Sequence, residues 1–193
     1  MTQKSNLRML IIKLYLYEPA ILYIIKYYMN TITFKTKEEL KNAVILWCGN
    51  NKIALANYGH ISDWDVSKIT DMSGLFRFKR NFDDDISRWN VSAVTDMSYM
   101  FWEAQHFNCN VNHWDVHNVV NMKWMFAHCY SFSQYIHKWN VSNVRNMTGM
   151  FYDAPIFKKE KLYSIQQWNV NNIIKNQIFT RPTDYYLNDF PHF

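Results

Sequence analysis

The residues of this 193-residue chain best placed to do chemistry are His113-x-Asp115-x-His117, the cysteines Cys48, Cys109 and Cys129, and a set of Asn-x-Ser/Thr tripeptides. Alternating spacing in an extended segment puts His113, Asp115 and His117 on one face, as a zinc site would need. No fourth ligand is evident, and the matching positions of neighbouring segments hold Asp63, Asp65 and Ser67 or Arg88, Asn90 and Ser92. The set is therefore read as a titrating surface pair, with no metal. Three cysteines cannot all pair, and none is close enough to another for a CxxC knuckle, so free thiols are expected. Asn90-Val-Ser92, Asn140-Val-Ser142 and Asn146-Met-Thr148 match the glycosylation acceptor pattern, which a repeated motif also generates by itself. No Ser/His/Asp set, carboxylate pair, phosphate loop or dinucleotide fingerprint is recognisable, so the chain reads as a non-enzyme without a cofactor.

Composition narrows the partner. The chain is 49% hydrophobic and 18% aromatic, with 8 Trp, 13 Tyr and 13 Phe, which is ample for a core and excludes wholesale disorder. The net charge of +5 suggests nucleic acid until its distribution is followed. Residues 1 to 35 carry Lys4, Arg8, Lys13, Lys26 and Lys35 against Glu18, and beyond them bases and acids nearly balance without a basic stripe. Nucleic acid is a poor partner for such a surface.

The elements that position these residues are set by a repeat. Trp64, Trp89, Trp114 and Trp139 stand 25 residues apart and Trp168 follows after 29. Met72, Met97, Met122 and Met147 keep the same step, as do Phe76, Phe101, Phe126 and Phe151, and then Phe82, Phe107, Phe132 and Phe157. The spacing Ile86-x-x-Trp89-x-Val91-x-x-Val94 predicts a strand of the leucine-rich-repeat kind, and Met97, Met100, Phe101 and Ala104 fall on one face of a short helix with Asp96 as its N-cap. Methionines and phenylalanines at this spacing read as core rather than as a ligand box. The fold class expected is α/β: a leucine-rich-repeat-like solenoid of about four to five strand-helix coils with an N-terminal helical cap. Thr36-x-x-Glu39 is a capping box that starts that helix, over about residues 37 to 47.

The strings FDDDISRWNVSAVTDMSYMFWEA and YIHKWNVSNVRNMTGMFYDA resemble the 25-residue repeat of BspA-like leucine-rich-repeat surface proteins, also known as a mycoplasma lipoprotein-associated repeat of unknown function. The resemblance covers about residues 36 to 179. The family occurs also in large DNA viruses. The resemblance implies a solenoid used for adhesion or interaction, with no catalytic residues to carry over.

Four segments follow: 1–35, an apolar basic leader or weak anchor; 36–60, the N-terminal cap; 61–179, the repeats; and 180–193, a tail. Between Leu7 and Met29, 18 of 23 residues are apolar or aromatic, but Arg8, Lys13, Glu18 and Lys26 interrupt them. A central Lys costs roughly 3 kcal/mol on insertion and a Leu or Ile returns only about 0.5, so spanning is marginal. A weak signal-anchor, an amphipathic helix pair and a translated leader ending near Met29 all stay open. Anchoring would place the protein at a membrane or cell surface, and otherwise it is intracellular.

In a solenoid, residues flanking the inward Trp and Val point outward. Asp63, Arg88, His113 and Lys138 form one outward column, Asp65, Asn90, Asp115 and Asn140 a second, and Ser67, Ser92, His117 and Ser142 a third. This face is the expected binding site for a protein or glycan partner. For the Asp/Asn column a self-bonded ladder is the alternative. A second reading of the whole chain is an intracellular assembly protein that self-associates through its solenoid ends.

Overall fold

A computed structural model describes residues 32–169 and 177–179. Residues 1–31 of the segment read as a leader or weak anchor, and the C-terminal tail, lie outside the described residues. Among the described residues the chain forms two α-helices, a few short 3-10 and π turns, and a succession of bonded turns, with no β-strand or sheet.

Helix α1 spans Lys37–Gly49. Thr36 Oγ1 accepts from the Glu39 N–H at 3.2 Å while Glu39 Oε2 accepts from the Thr36 N–H at 3.3 Å, so the capping box closes reciprocally. The helix buries Leu40, Ala43, Val44 and Trp47. Asn50 caps helix α2, Asn51–Tyr58, by accepting from the Ile53 N–H at 3.3 Å. Gly59 ends α2 at φ +73°, in the left-handed region that glycine enters at least cost.

The α/β strand-helix solenoid is not what the chain builds. In the segment expected as a strand, the Trp89 N–H bonds to the Ile86 carbonyl (3.1 Å) and the Val94 N–H to the Val91 carbonyl (2.9 Å). These i to i+3 closures bend the backbone into turns and leave only isolated parallel bridges, Asp71 to Asp96, Asp96 to Asn121 and Asn121 to Asn146, with a further one from Thr33 to Asp65. The segment expected as a helix fails for a different reason. Tyr99 and Glu103 sit at φ +58° and +59°, which no right-handed helix contains. Residues 97 to 104 run instead through successive turns, with N–H bonds from Met100 to Met97, Trp102 to Tyr99 and Ala104 to Phe101.

The alternate N–H groups of this segment point along the stack. Met97, Tyr99, Phe101 and Glu103 donate to the carbonyls of Asn121, Lys123, Met125 and Ala127 at 2.8–3.0 Å. Met72, Gly74, Phe76 and Phe78 do the same to the second repeat, and Met122, Trp124, Phe126 and His128 to the fourth. Every second amide is thus satisfied one repeat away and the intervening ones locally, which accounts for the backbone groups a helix would have satisfied internally. The geometry requires φ > 0 at two positions per repeat: Gly74, Tyr99, Trp124 and Gly149, then Phe78, Glu103, His128 and Asp153.

Inside the turns, like side chains stack on like. Phe76, Phe101, Phe126 and Phe151 lie 5.4–5.5 Å apart with rings within 7° of parallel. Phe82, Phe107, Phe132 and Phe157 make a second column at 5.6–6.0 Å. Trp64, Trp89, Trp114, Trp139 and Trp168 are buried, as are the methionine and valine columns. Each indole N–H of the last four donates back to the aliphatic residue that opens the preceding repeat: Trp89 to Ile61 O (2.9 Å), Trp114 to Ile86 O (3.2 Å), Trp139 to Val111 O (2.9 Å) and Trp168 to Ile136 O (3.4 Å).

Trp114→Ala is expected to cost about 3 to 5 kcal/mol in denaturant unfolding, and Trp114→Phe, which keeps most of the bulk but removes one of the two hydrogen bonds to the Ile86 carbonyl, about 0.5 to 1.5. Equal melting of either variant and the wild type would contradict this packing. At φ +59°, Glu103→Gly should be tolerated better than Glu103→Val by about 1 to 2 kcal/mol, read as the difference in midpoint.

Candidate functional site

Three columns of polar residues run along the outside of the stack, and two of them are held by their own backbone. In the column one residue after the tryptophans, the Oδ1 atoms of Asp65, Asn90, Asp115 and Asn140 accept from the N–H two residues on, those of Ser67, Ser92, His117 and Ser142, at 3.0–3.3 Å. These are Asx turns, the local bonding that short polar side chains favour. The self-bonded alternative therefore applies within each repeat rather than as a ladder between repeats. Asp65 Oδ2 accepts from Thr33 Oγ1 at 2.7 Å, whereas Asn90, Asp115 and Asn140 are exposed.

The column one residue before the tryptophans is joined differently. Asp63 forms an ion pair with Arg88 across the first repeat boundary, and Arg88 also reaches Ser62. His113 and Lys138 are exposed, and the Lys138 backbone N–H is held by Asn112 Oδ1 at 3.2 Å. Between Asp115 and His117 the carboxylate bonds to Nδ1 at 2.7 Å, and that bond, with the His117 backbone N–H and charge, holds the Asp115 carboxyl below its ordinary range. Among the described residues no group of three His, Cys, Asp or Glu side chains could hold a metal ion. Asp63, Asp65, Arg88, Asn90, His113, Asp115, His117, Lys138 and Asn140 thus lie in successive turns of one side of the stack at a constant repeat position, offering mixed charges and amides rather than a reactive cluster.

Asp71, Asp96, Asn121 and Asn146, expected as helix N-caps, make Asx turns too, accepting from Ser73, Ser98, Lys123 and Thr148 at 2.7–3.1 Å. The column is tied between repeats where Asn121 Nδ2 donates to Asp96 Oδ2 at 3.1 Å. Lys37 closes its N-terminal end, with Nζ 3.0 Å from both Asp71 carboxylate oxygens and in contact with Ser73 Oγ. Desolvation opposes ionisation of Asp71, but the bonds from Ser73 and Lys37 outweigh it and hold the carboxyl low. At Asp65, desolvation is outweighed in the same way by Ser67, Thr33 and Lys68.

Two features escaped the sequence reading. Trp102, Trp124 and Ala127 form an apolar cluster with Tyr99 and Tyr152 packed against it. The Arg77 guanidinium stands 4.4 Å from the Trp102 ring centroid and 4.8 Å from that of Phe78. These residues occupy columns that change type from repeat to repeat, so no periodic pattern marked them. The other is a cleft of about 770 Å³ where the end of α1 and the start of α2 meet the first repeat.

All three cysteines are free. Cys129 is buried, with its thiol donating to the Phe101 carbonyl at 3.0 Å, and desolvation pushes it well above the ordinary thiol range. Desolvation likewise pushes Cys109 up to about 11. Neither is in the thiolate form that a nucleophile needs at neutral pH.

Asp65, Asp71, Asp85 and Asp115 are all held below the ordinary carboxylate value in the folded chain. Their stabilisation is complete above the unfolded carboxylate value, about 3.9, and is lost as pH falls through the lower folded values. The melting temperature should therefore stay level down to about pH 5 and decline below about pH 4. Lys37→Met should soften that decline. A melting temperature that holds or rises below pH 4 would refute the assignment.

A family model described as "Mycoplasma protein of unknown function, DUF285" matches residues 48–164. No curated protein and no solved structure gives a match.

Proposed function

The chain belongs to the Mycoplasma family of unknown function DUF285, the BspA-like repeat family, and from that premise we propose that it is a non-enzymatic interaction module that binds a protein or glycan partner through the polar face of its stacked turns. The observation that carries this reading is the outward column Arg88, His113 and Lys138 beside Asn90, Asp115 and Asn140. One residue of each kind is presented per repeat, all on a backbone fixed by Asx turns and by the ladder between repeats. A rigid, repeating row of donors, acceptors and charges loses little freedom on binding, the condition under which weak polar contacts add up to affinity. It also suits an extended ligand that touches several repeats at once.

The reading gives Asn90, Asp115 and Asn140 a double part: one side-chain atom shapes the turn and the other meets the partner, while Asp65, whose second oxygen accepts from Thr33, borders the face. His113 and Lys138 hold no turn with their side chains, and Arg88 spans the first repeat boundary by an exposed ion pair to Asp63, the kind that contributes about 0 to 1 kcal/mol, so these three are the residues to change with little disturbance of the fold. Among the described residues no helix is long and apolar enough to cross a membrane. Residues 7–29, through which membrane association is proposed, lie outside the described residues.

The test is a screen of the full chain against glycan and protein arrays, repeated with the triple variant R88S/H113S/K138S. Hits that bind the wild type should weaken at least tenfold with the variant while its melting temperature stays within a few degrees. Hits that bind both equally, or arrays that retain neither, would sink the reading.

A further inference from the structure

The cleft between the helices and the first repeat is lined by none of the residues of the polar face. Its lining includes Trp47 and Phe82, both nearly buried, and Ile45 and Phe78, which are 47% and 43% exposed. Other large apolar side chains are exposed elsewhere on the surface, Ile53, Leu55 and Val120 among them, but Ile45 and Phe78 line one concave depression together.

Phe78 is the sharper anomaly. Its backbone sits at φ +61°, and the same position holds Glu103, His128 and Asp153 in the next three repeats. Polar residues serve the turn equally well, so the turn does not call for an exposed phenylalanine in the one repeat that borders the cleft. The positive φ belongs to the turn of every repeat, whereas the side chain is particular to this one: the Phe78 ring rests on Trp102, 4.9 Å between centroids, and on the Arg77 guanidinium, and the rest of it stays exposed at the cleft.

The charge on the cleft is lopsided. Lys52 and Lys79 line it and have no acidic partner among the described residues. Against them stands one carboxylate in the lining, Asp84, which accepts from the Trp47 indole N–H at 2.9 Å, and the cleft carries two cations to one anion. Two ammonium groups flanking an apolar depression complement a segment with carboxylates on either side of an apolar residue.

We propose that this cleft is a docking site for an acidic peptide segment of a partner protein, anchored by one aliphatic or aromatic side chain between Ile45 and Phe78 and oriented by Lys52 and Lys79. This does not depend on the polar face, and the two sites are separable by mutation. Gly49 offers a clean block. A Cβ built there meets nothing within 4 Å, and Gly49 lines the cleft at the last residue of α1, so a larger side chain fills the cleft without displacing the protein's own atoms.

The experiment uses the full chain and an array of twelve-residue peptides that carry several Asp or Glu around one Leu or Phe, each paired with a copy in which Lys replaces the acids. Acidic peptides should bind above their lysine copies. Binding should fall at least tenfold with K52E/K79E and again with G49L, and should be unmoved by R88S/H113S/K138S. If no acidic peptide exceeds its lysine copy, the proposal fails. It fails equally if binding survives both cleft variants, if it follows the polar-face variant, or if heparin or anionic phospholipid vesicles occupy the cleft where the peptides do not.

Discussion

Trp89, Trp114, Trp139 and Trp168 each reach back across one repeat boundary and place the indole N–H on a carbonyl of the repeat before. The rest of the stack follows from that constraint. A buried indole must find an acceptor, and a bond to the opening residue of the previous repeat fixes the offset at which two repeats meet. Once the offset is fixed, Phe76 lies under Phe101 and Phe101 under Phe126 with nearly parallel rings. The alternate amides of each turn run then face the carbonyls of the next. Stability is shared between neighbours, since no single repeat can bury its own Trp, Met and Phe.

The same arrangement explains how a surface for recognition can be built from short polar residues. Asp and Asn bend the chain by bonding their own backbone two residues on, so the turns need no glycine at those points and keep a functional group facing solvent. The N-terminal end is closed by a charge: Lys37 takes the place that Asn121 holds between repeats, satisfying the exposed end of the Asp71 column. Helix α1 thus serves the first repeat both by covering Trp64 through Trp47, whose rings meet edge to face at 5.8 Å, and by supplying that cation.

The inward residues were legible in the sequence and the backbone that carries them was not. Ile86, Trp89, Val91, Val94, Met97, Met100, Phe101 and Ala104 are all buried. Their spacing fits a strand followed by a helix as well as it fits the observed turns, because both place the same side chains inward. What decides between them is the sign of φ at Tyr99, Glu103, Trp124 and His128, and of these types only His enters the left-handed region with any preference. Gly74 and Gly149 at the equivalent positions were the clearest local hint. The acceptors of the alternate amides lie in another repeat, so no window of local sequence contains the partners. The capping box at Thr36, by contrast, depends on neighbouring residues alone, and it stands where the sequence places it. The aromatic cluster around Trp102 and the cleft at Phe78 were hidden because they lie in columns whose residues differ between repeats, where periodicity carries no information.

The central claim is that the repeats are joined by bonds from each to its neighbour rather than by internal strands and helices. The most direct measurement is through-hydrogen-bond NMR coupling on the isotope-labelled protein. The Tyr99 and Phe101 amide nitrogens should couple to the carbonyl carbons of Lys123 and Met125, and the Trp114 indole nitrogen to that of Ile86. Couplings from Tyr99 and Phe101 to the carbonyls of Thr95 and Met97, four residues back as in a helix, would contradict the account.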